Sequence, residues 1–341
     1  RRPGRRPAER AGAMTARRIG PRGGPAWGAM FHHFHGGVHA PSQGSIDAAR
    51  FAAILRAIGP ERILPAAEWR ARALAGTLGP DDVCLTFDDA LRCQRDVALP
   101  VLEAFGLTGF FFVYTSILEG AAERLEIYRH HRHTAYPSLE AYYAAFEAAV
   151  ARSPWADAAA AALRGFDPAR YLADFPFYTD ADRRFRFLRD RALGPEAYFA
   201  VNDALVAAAG CDVEALRRLL WMDRDDVARL HDAGHVVGLH SHTHPTDIAA
   251  APPEAQAREY ARNAEILTAI TGVAPDTVAH PCGAYGPETL AILAGMGVRV
   301  GFRSSMAPVP GRGPLEHPRE DHATLAAALA APLPPADQPA R

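Results

Sequence analysis

Cysteine is scarce, with four in 341 residues, and Cys84, Cys93, Cys211 and Cys282 show no close ligand spacing. That excludes a disulfide scaffold and a cysteine-rich zinc site, and it reads as free thiols in a reducing compartment. No run of about 20 apolar residues occurs, which argues against a membrane-spanning helix. Residues 1–29 carry eight arginines and a single acid, Glu9, with no apolar run of about 7–15 residues after them, so the secretory signal pattern is missing. That tract reads as a disordered tail, Met14 and Met30 are candidate starts, and the expected location is cytoplasmic. Net charge is also lacking: 37 basic against 39 acidic residues gives −2, which makes no general case for nucleic acid. What the chain does have is length and 49% apolar content, enough for one large core in the size range of an α/β barrel.

Chemistry concentrates in two places. Val83-Cys84-Leu85-Thr86-Phe87 is an apolar stretch that ends in Asp88-Asp89, and Val236-Val237-Gly238-Leu239 leads into His240-Ser241-His242-Thr243-His244-Pro245. Two buried strands that end in acid and imidazole suggest a site at one end of a parallel sheet or barrel. Asp89, His240 and His244 would supply three metal ligands and leave a coordination position open, as catalytic zinc-type sites do. Asp88 would stand beside the ion as a base. Alternatively, either Asp could cap a helix expected over 90–105, and the His run could be a polar surface loop.

These residues resemble the motifs of the NodB-like polysaccharide deacetylases, carbohydrate esterase family four. Thr86-Phe87-Asp88-Asp89 matches the family's T-F-D-D, which implies Asp88 as base and Asp89 as ligand. His240-Ser241-His242-Thr243-His244 matches H-[S/T]-x-x-H, which implies His240 and His244 as ligands and His242 as the variable position. Ala279-His280-Pro281-Cys282-Gly283 stands in the third motif, with Ala279 where many members carry an arginine that holds the base, so the partner of Asp88 is unassigned. Cys282 replaces an aromatic residue, but the oxyanion contact implied there comes from the backbone N–H, which any residue other than proline supplies. Met30-Phe31-His32 resembles the opening M-Y-H segment and implies His32 on the pocket floor. The late histidine that serves as general acid has no evident match; His317, His322 and His280 are the candidates. The resemblance touches 30–39, 81–115 and 221–306 and implies a distorted (β/α) barrel of the NodB type.

Strand and helix patterns alternate along the chain, as in a parallel α/β architecture. Strands are expected over 29–34, 83–87, 109–114, 235–239, 277–280 and 298–302, with a helix over 46–58 and a linking segment over 69–79. One domain would span 30–330, residues 116–220 would be a helical insertion able to cover the site, and 331–341 a second disordered tail. In the insertion, Glu126-Ile127-Tyr128-Arg129-His130-His131-Arg132-His133 reads as a solvated helix face, with recognition of an anionic sugar substituent as its alternative. A second metal site from His33 and His35 lacks a paired acid.

The expectation is therefore a metal-dependent hydrolase of carbon–nitrogen bonds other than peptide bonds. It would remove N-acetyl groups from an amino sugar, oligosaccharide or glycan precursor in bacterial surface polysaccharide metabolism. Zinc is the first choice of ion, with cobalt or nickel allowed by the same donor set. The alternatives are hydrolysis of another amide, such as a sugar N-formyl group or a small amide or imide, and a catalytically silent glycan-binding protein on the same fold.

Overall fold

The computed structural model of the chain describes residues 18–173 and 178–330. Seven strands, β1 (Trp27–Phe31), β2 (Val83–Asp88), β3 (Phe110–Val113), β4 (Val236–Leu239), β5 (Thr277–Ala279), β6 (Val300–Phe302) and β7 (Arg319–Asp321), form one sheet in the order β6-β5-β4-β3-β2-β1-β7. Every pairing is parallel. The segment before β7 nearly closes the sheet: His317 N donates to Gly301 O at 2.8 Å, Arg303 N to His317 O at 3.0 Å, and Gly28 N to Pro318 O at 3.0 Å. The expected distorted (β/α) barrel is what the chain forms.

Closure leaves no room for side chains at one point. A Cβ on Gly301 would meet Leu315 O at 2.4 Å and its Cα at 2.6 Å, both of them backbone atoms. Gly301→Ala is expected to push the closing segment off β6 and to destabilise the chain by roughly 1–3 kcal/mol, the usual cost of overpacking. Chemical denaturation would show this as a lower midpoint at unchanged slope.

Strands β2 and β3 are buried along their whole length, as their continuous apolar sequences require. Alternation along β2 puts Cys84, Thr86 and Asp88 on one face and Val83, Leu85 and Phe87 on the other. The inner face joins a small cluster of Trp69, Cys84, Phe110, Phe112, Ala279, Val300 and Phe302, and the outer face joins the larger core, with Phe87 stacked on Phe111 at 4.7 Å. Asp88 thus stands at the carboxyl end of an otherwise apolar interior.

Helices α1 (Ala48–Ile58), α2 (Ala66–Ala75) and α3 (Leu99–Phe105) surround the first strands. The expected link over 69–79 is in fact the end of α2, because Ala66, Trp69 and Ala73 recur at helical spacing and seal the interior beneath Phe110 and Phe302. The helix expected over 90–105 does not begin at Ala90, which has φ 52°; a wider turn over Gln94–Ala98 precedes α3. Neither Asp88 nor Asp89 caps it. The chain also packs earlier than the expected 1–29 tail allows, since Ile19 is buried and donates to Ala57 O at 2.9 Å. Residues 1–17 and 331–341 lie outside the described part.

Between β3 and β4 run α4 (Arg124–Thr134), α5 (Leu139–Val150), α6 (Ala156–Leu163), α7 (Asp180–Phe187), α8 (Gly194–Ala208), α9 (Val213–Leu220) and α10 (Arg224–Asp232). Phe185 packs edge to face on Tyr142, Phe146 and Tyr198 and gives this layer its own aromatic centre. Helix α4 is not a purely solvated face: Tyr128 and His131 are buried, Glu126 takes His33 Nε2 at 2.9 Å, and Arg129 reaches Ser42 Oγ at 3.1 Å. His35 binds Ser45 Oγ at 2.8 Å instead of joining His33. After β4 come α11 (Pro253–Thr271), α12 (Pro287–Gly295) and α13 (His322–Ala330), and among the described residues no helix is long and apolar enough to cross a membrane.

Candidate active site

The carboxyl ends of β2 and β4 bring Asp88, Asp89, His240 and His244 together. Asp89 Oδ1 lies 3.4 Å from Nε2 of both His240 and His244, and one ligand atom of each of these three residues lies within 4.8 Å of the other two. Backbone strain marks the same place. Among the described residues six non-glycine positions have positive φ, and five of them are Asp89, Ala90, Ser241, His244 and Cys282. Each such conformation costs on the order of 1–3 kcal/mol and persists where the surroundings enforce it, which is common at functional sites.

Those surroundings include the buried polar side chains of Gln94 and Asn263 and the half-buried Glu259. Gln94 Nε2, fully buried, donates to Asp88 O at 2.6 Å and to His32 O at 3.0 Å, tying the ends of β1 and β2. Asn263 of α11 accepts His240 N at 2.9 Å and donates to Val113 O at 2.8 Å, tying β3 to β4. Glu259 holds the His loop by accepting His242 N at 2.9 Å and Thr243 N at 2.7 Å. His242 turns to Thr115 Oγ1 at 3.0 Å, away from the other two imidazoles.

The three-residue group suits a cation. His240 Nδ1 donates to Ala279 O at 2.8 Å, which leaves Nε2 as a lone pair facing Asp89, and the buried Asp89 Oδ1 has no hydrogen-bond partner. An imidazole fixed through its other nitrogen by a carbonyl is the usual support for a metal-ligating histidine. Burial works to raise the Asp89 pKa, but the close approach of His240 and the influence of His244 and His32 overcome it, so the carboxyl is held well below its usual range. His240 is raised, because the charges of Asp88 and Asp89 outweigh burial, whereas burial prevails at His244 and lowers it.

Asp88 is buried and receives Arg319 Nη1 on Oδ1 at 2.7 Å. Burial pushes its pKa up, and the Arg319 charge, then His240 and His32, bring it below the ordinary value. The arginine that the third motif lacks is therefore supplied from β7, where Gly28 stands opposite Arg319 and leaves space for its stem. Arg319 also gives Nε to Arg303 O at 3.0 Å and Nη1 to Thr86 Oγ1 at 3.3 Å. No sequence motif marks it.

His32 Nε2 lies 3.7 Å from the other Asp88 oxygen, and burial lowers its pKa against the pull of Asp89 and Asp88. Cys282 sits at the turn after β5. The N–H groups of Gly283 and Ala284 are used on His280 O and Pro281 O, but that of Cys282 enters no backbone bond among the described residues. Its thiol, on an exposed residue, is pushed up by partial burial and then by the Asp89 and Asp88 charges. Of the general-acid candidates, His280 donates Nε2 to Leu315 O at 2.8 Å under the Tyr285 ring, and His317 packs on Trp69 at 4.9 Å. Both are held by the barrel's closing segment and its interior; only His322 joins His32.

A polysaccharide deacetylase family model matches residues 191–301, about a third of the chain, which includes His240 and His244 but not Asp88 or Asp89. No curated protein is matched by sequence. Among solved structures, the Streptococcus pyogenes deacetylase PplD in complex with acetate is 16% identical, with 87% of this chain and 92% of that one covered at a TM-score of 0.51. IcaB from Ammonifex degensii is also 16% identical, with 91% and 99% covered at 0.51. At such identity these two speak for the fold. Segment, motifs and barrel agree, and the chain is similar to the NodB-like polysaccharide deacetylases, hydrolases of amide carbon–nitrogen bonds.

Proposed function

We propose that this chain is a metal-dependent deacetylase that removes the N-acetyl group from an amino sugar of a bacterial surface glycan or its precursor. The observation that carries the reading is the convergence of a three-ligand set, Asp89, His240 and His244, on a separately held carboxylate, Asp88. A divalent ion held there supplies Lewis-acid polarisation of the amide oxygen and a water of lowered pKa. Asp88, kept ionised by Arg319, takes the proton of the attacking water. The Cys282 N–H donates to the oxygen on which negative charge develops, a contact worth most in the transition state. His32 shapes the floor beside Asp88.

A groove of about 630 Å³ in the insertion reaches Thr246 just past the His loop and is lined by Arg129, Arg132 and Arg189 together with Glu126 and Asp190. Arg189 is already paired with Asp190, but guanidinium groups pair well with phosphate, so Arg129 and Arg132 make a glycan precursor that carries a phosphate a better fit for this groove than a neutral polymer. The test is a panel of N-acetyl and N-formyl amino sugars, free, oligomeric and nucleotide-linked, with acetate and formate measured. Acetate release is expected. Formate alone would move the reading to a deformylase, and neither product from metal-loaded protein would leave the glycan-binding alternative.

A further inference from the structure

We infer that the chain has a second divalent-cation site beside the first, built from His32, Asp321 and His322. Strands β1 and β7 are neighbours in register, with Met30 opposite Asp321, so their carboxyl ends bring His32 to the Asp321–His322 pair. One ligand atom from each lies within 4.8 Å of the other two.

The decisive feature is His322, which is 7% exposed. Its Nε2 lies 2.7 Å from Gly44 O, and since a carbonyl only accepts, that nitrogen carries the hydrogen. Nδ1 is then a bare lone pair in the neutral ring, buried and without a hydrogen-bond partner. Asp321 Oδ1 faces it at 3.5 Å and already accepts Ala323 N at 2.7 Å. Two electron pairs directed at each other, the imidazole's on a side chain 8% exposed and the carboxylate's on one 40% exposed, repel unless a cation lies between them. This repeats the device at His240, where a backbone carbonyl fixes one ring nitrogen and presents the other to an aspartate.

Helix capping explains the Ala323 contact, and stacking on Phe31 at 5.9 Å explains the burial of His322. Neither explains the orphan Nδ1 or the approach of His32. A proton on Nδ1 would satisfy Asp321 and His322 as an ion pair but would not account for the approach of His32, whose other acidic neighbour is Asp88 at 3.7 Å. Two imidazoles and a carboxylate make a borderline N₂O set for a first-row divalent ion such as zinc, cobalt or nickel, with open positions for water.

The test counts metal and does not depend on the deacetylase reading. Tag-free full-length chain is stripped with a chelator, dialysed against zinc, and assayed for zinc per chain, beside His322→Ala, Asp321→Asn, His240→Ala and the His240→Ala/His322→Ala double variant. Two ions are expected in the native chain, one in each single variant and none in the double. Asp321→Asn keeps an oxygen for the Ala323 cap and so guards against misfolding of His322→Ala. The inference is overturned if His322→Ala and Asp321→Asn both hold as much zinc as the native chain, or if anomalous scattering at the zinc edge places no ion at His322. Failure of the first site alone would appear differently, as retention of full zinc in His240→Ala.

Discussion

Arg319→Met is expected to lower stability by about 3–5 kcal/mol, the range for removing one partner of a buried ion pair and leaving its charge alone. The two side chains are 1% and 3% exposed, so water does little to replace the lost contact. Direction of the pH effect follows from the Asp88 shift. Its folded-state pKa lies below the ordinary value, so the pair's contribution is complete above the unfolded pKa and is lost as pH falls through the folded one. Without Arg319, burial gains weight against the remaining imidazoles and the Asp88 pKa rises. The acid limb of the rate profile should therefore move to higher pH, along with the acid side of the stability curve. Arg319→Lys would restore a charge but not the fork that reaches Asp88, Thr86 and Arg303 O together, so rescue should be partial. An unchanged denaturation midpoint and an unmoved acid limb would show that Arg319 is not what holds Asp88.

Asp88→Asn should reduce turnover by roughly 10²–10⁴-fold, the contribution of a positioned general base. The amide keeps the shape of the carboxylate and an oxygen for Arg319, so backbone positions around Asp89 are kept. Metal content should therefore stay at the native level, because Asp89, His240 and His244 are untouched. Some stability should be lost as well, since Arg319 remains charged and buried with a neutral partner. Acetate release and zinc per chain, measured on the same preparation, separate these effects. Loss of metal with loss of turnover would mean that Asp88 is a ligand, and retained turnover would remove it from the chemistry.

Much of the barrel was legible because β2, β3 and β4 are buried on both faces and read as uninterrupted apolar runs. The residues that directly follow two of them, Asp89 and His240, were legible for the same reason: position after a strand fixes the end of the barrel to which they belong. Arg319 was not. Its strand is three residues long, reads Arg-Glu-Asp, and acquires meaning only through its register against Gly28. Gln94 and Asn263 were hidden likewise, since their partners His32 and Val113 lie 62 and 150 residues away and no local pattern signals the contact. The late start of the helix after Asp89 is a tertiary effect: Gln94 spends its amide on Asp88 O and His32 O, and Ala90 takes a left-handed conformation that no helical pattern reveals.

The most direct measurement is acetate release from N-acetylglucosamine oligomers and nucleotide-linked N-acetyl sugars by the full chain, first stripped of metal and then reloaded with zinc, beside His240→Ala treated in the same way. Release that vanishes on stripping, returns on reloading and does not return in His240→Ala is the predicted result. Release that survives complete stripping, or returns undiminished in His240→Ala, would contradict a hydrolase whose ion is held by Asp89, His240 and His244.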